Sequence, residues 1–261
     1  MVFKSSYSML PLSKEKIVSK SYLPITKYIN DNYDAVIVGS DEVWKIDSYR
    51  SFPNIYWLPE IINIPKLSYA ASANRTDVNN LNNDMLKYMK KWFNLYDYIS
   101  VSDLNTYNMI KKIDSSLDVN FNPDPTIFYQ EEDHVQYDIF YKKIYKRFNI
   151  KLDSDKIICL LTRDKKISEF IKENYGREYK IISMYSYNCF ADVFLNNLSP
   201  FEWIYIFKFF SFCITSLFHG TLFCIRNGTP FLSFDKEIIY DKYESKIEDL
   251  LKKSRFNKSL L

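Results

Sequence analysis

The residues best suited to chemistry stand together near the end of the chain, in CITSLFHGTLFCIRNGTPFLSF, Cys213–Phe234. A β-branched apolar run ends at Thr215–Ser216, and helical spacing of apolar residues takes over within about four residues. At that junction sit His219 and Gly220, in a chain that has only two histidines and four glycines. Imidazole titrates near neutrality, so His219 could donate to an anion or carry a proton during a reaction. The first turn of a helix has amide hydrogens without intrahelical acceptors and the positive end of the dipole, a seat for phosphate or carboxylate. Gly220 would let a ligand approach the backbone closely, and Ser216 and Thr221 would add hydroxyls. A histidine buried in the core and bonded to a backbone carbonyl is the alternative; the position beside glycine at a strand-to-helix turn favours a functional imidazole. Gly228 reads more simply, as the helix stop before Pro230.

Two further stretches place small polar groups after apolar strands. In VIVGSDEVWKID, Val36–Asp47, Gly39 is followed by Ser40 and Asp41. In YAASANR, Tyr69–Arg75, the strand end offers Ser72, Asn74 and Arg75. Carboxyl ends of strands are where open α/β sheets bind ligands. Each stretch is equally readable as an ordinary turn, with Asp41 capping and Trp44 packing in the core.

The elements that must position these groups alternate between strand and helix. Strands are expected at 34–40, 66–72, 96–102, 156–162, 179–184, up to Ser216, and 230–234. Helices are expected at 81–96, 103–113, 135–148, 165–174, from Pro200 into Phe209, 219–227 and 240–253. Asp103 should cap the second of these helices, and Ser199-Pro200-Phe201-Glu202 has the spacing of a capping box with Pro at the first helical position. NFNPDPTIFY, Asn120–Tyr129, has two prolines within three residues and marks a domain boundary. Alternation on both sides of it implies two α/β domains with mostly parallel sheets, 1–128 and 129–261.

Composition bounds the function. The 261 residues are 47% apolar and 26% charged, a soluble globular profile with ample capacity for a core. A net charge of +3, with dispersed lysines, argues against a nucleic-acid partner. The 18% aromatic share, in a chain rich in Asn, Lys and Ile, reflects codon composition rather than a stacking surface. Cys159, Cys189, Cys213 and Cys224 lack metal-ligand spacing and read as reduced thiols of a cytosolic protein, so no metal is expected. The longest apolar stretch, Trp203–Phe218, is interrupted by Lys208 and is too short to span a bilayer, and no signal peptide opens the chain.

Taken in order, IVGSDEVW, LSYAASAN, NPDPTIFY and ITSLFHGTLFCIRNGTPF resemble the polysaccharide pyruvyl transferase family from about Tyr33 to about Phe234. The S-x-F-H-G stretch is the most specific of the four; in VGSDEVW, Glu42 replaces the family's usual Gln. The resemblance implies two Rossmann-like domains arranged as in the GT-B glycosyltransferase fold, with the active site in the cleft between them. It also implies transfer of pyruvate from phosphoenolpyruvate to two hydroxyls of a sugar as a cyclic ketal, in surface polysaccharide biosynthesis. By similarity His219 is the catalytic or donor-binding residue. Gly39, Ser40, Asp41, Ser72, Asn74, Ser216, Gly220 and Thr221 are the expected substrate-binding residues. Phosphoenolpyruvate is then a substrate, no cofactor is needed, and the acceptor is a sugar or glycan, free or lipid-linked. The expected location is cytoplasmic, extending to the inner face of the membrane.

Two departures accompany the likeness. The family's opening Gly/Asn-rich strand–turn–helix has no counterpart ahead of VFKSSYSMLPLS, so the first domain is expected to lack its opening βα unit. Ser102 stands where S-V-R-E supplies an arginine, and losing a guanidinium aimed at an anion weakens binding; Arg75 and Arg163 are the available substitutes. These departures sustain a second reading, a non-catalytic or truncated relative, and the same fold class admits a third, a nucleotide-sugar glycosyltransferase.

Overall fold

The computed structural model describes residues 10–19, 21–46, 52–74, 76–129, 134–234 and 245–253. Two compact units are centred on Lys14–Thr126 and Ile127–Ile238. Every strand pairing among the described residues is parallel.

In the N-terminal unit the elements are α1 (Leu23–Asn32), β1 (Val36–Gly39), β2 (Lys66–Tyr69), α2 (Asn83–Phe93), β3 (Ser100–Val101), α3 (Leu104–Ile113) and β4 (Asn120–Phe121). β1 pairs with β2 and β3 with β4, and bridges at Leu67–Tyr98 and Ala71–Val101 join the two pairs. Asn82 caps α2 by accepting from Met85 N at 2.8 Å, and Met89, Trp92 and Phe93 form its buried face. Against them pack Trp44 and Trp57, both almost fully buried. Each such side chain contributes roughly 1.5–3 kcal/mol by leaving water. Asp103 caps α3 as its position suggested, accepting from both Thr106 N and Thr106 Oγ1 at 2.8 Å.

The C-terminal unit contains α4 (Tyr137–Phe148), β5 (Ile157–Leu161), α5 (Lys165–Tyr175), β6 (Lys180–Ser183), β7 (Val193–Phe194), α6 (Pro200–Tyr205), β8 (Phe212–Thr215), α7 (Phe218–Asn227) and β9 (Phe231–Ser233); α8 (Lys246–Lys253) ends the described chain. Its sheet runs β7-β6-β5-β8-β9. β5 lies at the centre and is buried along its whole length, as its unbroken apolar run IICLL requires of a strand covered on both faces. One face carries the larger core, with Phe140, Ile144, Cys159, Phe207, Cys213 and Phe223; the other carries Ile158, Leu160, Ile171, Ile181 and Ile214. Cys159 and Cys213 are register partners on neighbouring strands, and burial pushes the Cys213 thiol well above its ordinary pKa. Cys189 is exposed.

Four elements differ from the sequence-based expectation. α1 was not foreseen, because Thr26 is its only buried residue and it carries no apolar stripe. β4 and β7 have two residues each, too short to show periodicity. The last helix starts at Lys246, since Ser245 Oγ accepts from Glu248 N at 3.1 Å and caps it; residues 240–244 of the expected helix lie outside the described residues.

Candidate active site

The order β7-β6-β5-β8-β9 reverses direction between β5 and β8. Connections after β5 lead outward to β6 and β7, and the chain then returns to lay β8 and β9 on the other side. At such a reversal, adjacent loops diverge to opposite faces and leave a crevice at the carboxyl ends of the strands. Leu161 is in register with Thr215, and Ser216 N donates to Leu161 O at 3.2 Å, so loops 162–164 and 216–217 leave the sheet side by side.

Two helices begin at this edge, and they are finished differently. Asp164 caps α5, accepting from Ile167 N at 3.0 Å. The N-cap of α7 is Leu217, which has no side-chain acceptor to offer. The N-cap side chain of α7 is therefore apolar where that of α5 is a carboxylate, and a helix N-terminus is a favourable place for an anionic ligand. His219, in that first turn, is exposed rather than interior; its ring meets Phe218 edge-on at 5.3 Å and tilts against Phe223 at 5.9 Å between centroids. Arg163 is exposed in the neighbouring loop, with Cζ 5.0 Å from the centroid of Tyr185, which follows β6 on the same edge. Ser216 Oγ is buried and makes no hydrogen bond among the described residues, an unusual state for a hydroxyl.

Gly220 and Thr221 have structural duties that change their expected roles. A Cβ at position 220 would lie 2.3 Å from Thr215 Oγ1 and 3.0 Å from Leu161 Cδ1. The close approach that Gly220 permits is therefore between α7 and the sheet. Thr221 is fully buried, and its Oγ1 bonds Leu217 O at 3.1 Å and Ser233 Oγ at 2.6 Å, so that hydroxyl is engaged within the protein.

Five expected site residues belong to the N-terminal unit, where the loops after β1 and β2 are laced together. Ser72 N donates to Asp41 O at 3.1 Å, and Trp44 N donates to Ser72 O at 3.0 Å. Ser72 is fully buried, its Oγ accepting from Asn74 N at 2.9 Å. Asn74, at φ 52°, donates through Nδ2 to Glu42 Oε1 at 2.8 Å. Gly39 has φ 136°, and a Cβ there would lie 1.9 Å from Tyr69 O, so only glycine fits. Ser72, Asn74 and Gly39 thus hold the turn, while Ser40 is half-buried and Asp41 exposed. Trp44 is in the core, its Nε1 donating to Tyr56 O at 3.0 Å. Ser102 continues β3, its N donating to Ala71 O at 3.1 Å. Arg75 lies outside the described residues.

That Arg163 and His219 follow neighbouring strands at one sheet edge is the feature that the sequence left undecided. Its signal was the placement of Arg163 two residues beyond a fully apolar strand, but only the sheet order shows that this strand adjoins β8. Among the described residues there is no group of three or more His, Cys, Asp or Glu able to hold a metal, and no helix long and apolar enough to cross a membrane.

The parallel strands, the helices between them and the reversal point in the C-terminal sheet define a Rossmann-like α/β protein. The family model for polysaccharide pyruvyl transferase matches residues 3–236, and the chain belongs to that family. No curated protein matches the chain. Among solved structures, the N-terminal domain of Candida albicans trehalose-6-phosphate phosphatase is similar at 8% identity and a TM-score of 0.46, over 80% of this chain and 58% of that one.

Proposed function

We propose that the protein is an active pyruvyl transferase that moves pyruvate from phosphoenolpyruvate onto a sugar diol in surface polysaccharide synthesis. The observation that carries this reading is the exposed imidazole of His219 in the first turn of α7, on the same sheet edge as Arg163. In the reaction, a proton adds to the methylene carbon of the donor and leaves an oxocarbenium-like centre at C2. One sugar hydroxyl attacks that centre and loses its proton. Phosphate then departs from the same carbon, and the second hydroxyl closes the ketal. One of the two hydroxyl protons balances that taken up by the methyl group, and the other leaves on phosphate.

His219 supplies or relays the proton, general acid catalysis of the kind worth about 10²–10⁴-fold in rate. The amides of the first turn of α7, Ser216 Oγ and the Arg163 guanidinium hold the donor's carboxylate and phosphate. On this reading Arg163 supplies the positive charge that Ser102 cannot. The reading includes a GT-B-like pairing of the two units and an acceptor that is a sugar or glycan.

The test is phosphate release from phosphoenolpyruvate with a panel of sugar acceptors. Wild type should release phosphate, His219→Ala should abolish release, and each protein should keep its melting temperature. Equal rates for the two proteins would remove His219 from the chemistry.

A further inference from the structure

The N-terminal unit contains a polar cleft of about 180 Å³ between the turn Val78–Asn80 and one face of α3. The helix wall is Asn105, Asn108, Met109 and Lys112, spaced as neighbours on a single helical face. The facing wall is Thr76 to Asn79. The walls are tied to each other and to the loop after β2. Lys112 Nζ donates to Asn79 Oδ1, Asp77 Oδ1 accepts from Asn79 N at 2.9 Å, and Asn105 Nδ2 reaches Asn74 O at 3.4 Å. The carboxamide of Asn108 has no hydrogen-bond partner among the described residues and lines the same space.

The donor set selects the ligand. Carboxamides both donate and accept, which matches hydroxyl groups. One carboxylate, Asp77, and one ammonium, Lys112, leave the cleft without net charge, so neither an anion nor a metal ion is favoured. Val78 and Met109 add an apolar surface suited to the C–H face of a pyranose. The volume equals on the order of six water molecules, room for one sugar ring. The cleft adjoins the loops at the carboxyl ends of β2 and β3, the edge at which such sheets bind ligands.

We propose that this cleft is a subsite for one neutral sugar ring. Its assignment to the acceptor rests on the transferase reading above, whereas sugar binding does not. The experiment is saturation-transfer NMR and calorimetric titration of the full chain with methyl pyranosides of glucose, galactose, mannose and N-acetylglucosamine, without phosphoenolpyruvate. At least one glycoside should bind wild type. Asn108→Ala and Asn105→Ala should bind it at least tenfold more weakly with unchanged melting temperatures, and Lys156→Ala, at an exposed ion pair of the C-terminal unit, should bind it as wild type does. Failure of every glycoside to bind wild type, or wild-type affinity in both asparagine variants, would overturn the proposal. Binding that follows this pattern in a protein releasing no phosphate would leave the subsite standing and remove the transferase reading.

Discussion

Gly220 and Gly39 have the same residue type for different reasons, and each reason is measurable. At Gly220 the backbone is helical and the restriction is space, because Thr215 Oγ1 and Leu161 Cδ1 occupy the volume of a side chain. Gly220→Ala should destabilise the protein by about 2 kcal/mol through overpacking, read as a lower urea midpoint. Adding Thr215→Ala should recover part of the loss. At Gly39, positive φ and the Tyr69 carbonyl act together, so no single partner change should rescue an alanine. Asp114 gives a prediction in pH. Hydrogen bonds from Ser116 and Asn94, together with Lys90 at 3.3 Å, hold its carboxyl well below the usual carboxylate range. Because the folded-state value is depressed, the stabilisation is present above the ordinary value near 3.8 and is lost as pH falls below it. Asp114→Asn should therefore flatten the fall in thermal stability between about pH 5 and about pH 2, and an unchanged slope would exclude this role.

At the scale of elements, local chemistry accounts for where helices begin. Ser199 Oγ accepts from Glu202 N at 3.2 Å, and Glu202 Oε2 accepts from Ser199 N at 2.7 Å, the reciprocal pair that S-P-F-E spacing implied. Glu202 also pairs with Lys143 at 2.6 Å, tying α6 to α4. Ser199→Ala should cost about 1 kcal/mol in chemical denaturation. Glu202→Ala should cost more, since it removes the cap and a half-buried ion pair together. The cap of α3 was equally legible, because Asp103 lies beside its own helix in sequence. The strands were legible where they were long and apolar, as in β5, and invisible where two residues sufficed, as in β4 and β7. Those short strands form through their neighbours' hydrogen bonds, which leave no local trace.

For the whole molecule, the proposed donor site predicts ligand-linked stability. Phosphoenolpyruvate at 100 times its dissociation constant should add about 2.7 kcal/mol to the folded state and raise the melting temperature accordingly. Arg163→Met should shrink that shift with little effect on the ligand-free melt, since Arg163 is exposed. An undiminished shift in Arg163→Met would place the donor elsewhere. Much of this architecture follows from the order of residues alone. Alternating apolar periods specify parallel α/β units, since each period declares how its segment is buried, and the S-x-F-H-G turn marks the candidate histidine because motif and turn are contiguous. What the order of residues left open was long-range. That Gly220 packs on Thr215 depends on how α7 folds back on its own strand, that Thr221 is bonded to Ser233 depends on β9 lying beside β8, and that Arg163 and His219 leave adjacent strands depends on β8 returning beside β5. The last of these joins residues tens of positions apart, and packing of the whole sheet selects among the strand orders that the same local pattern permits.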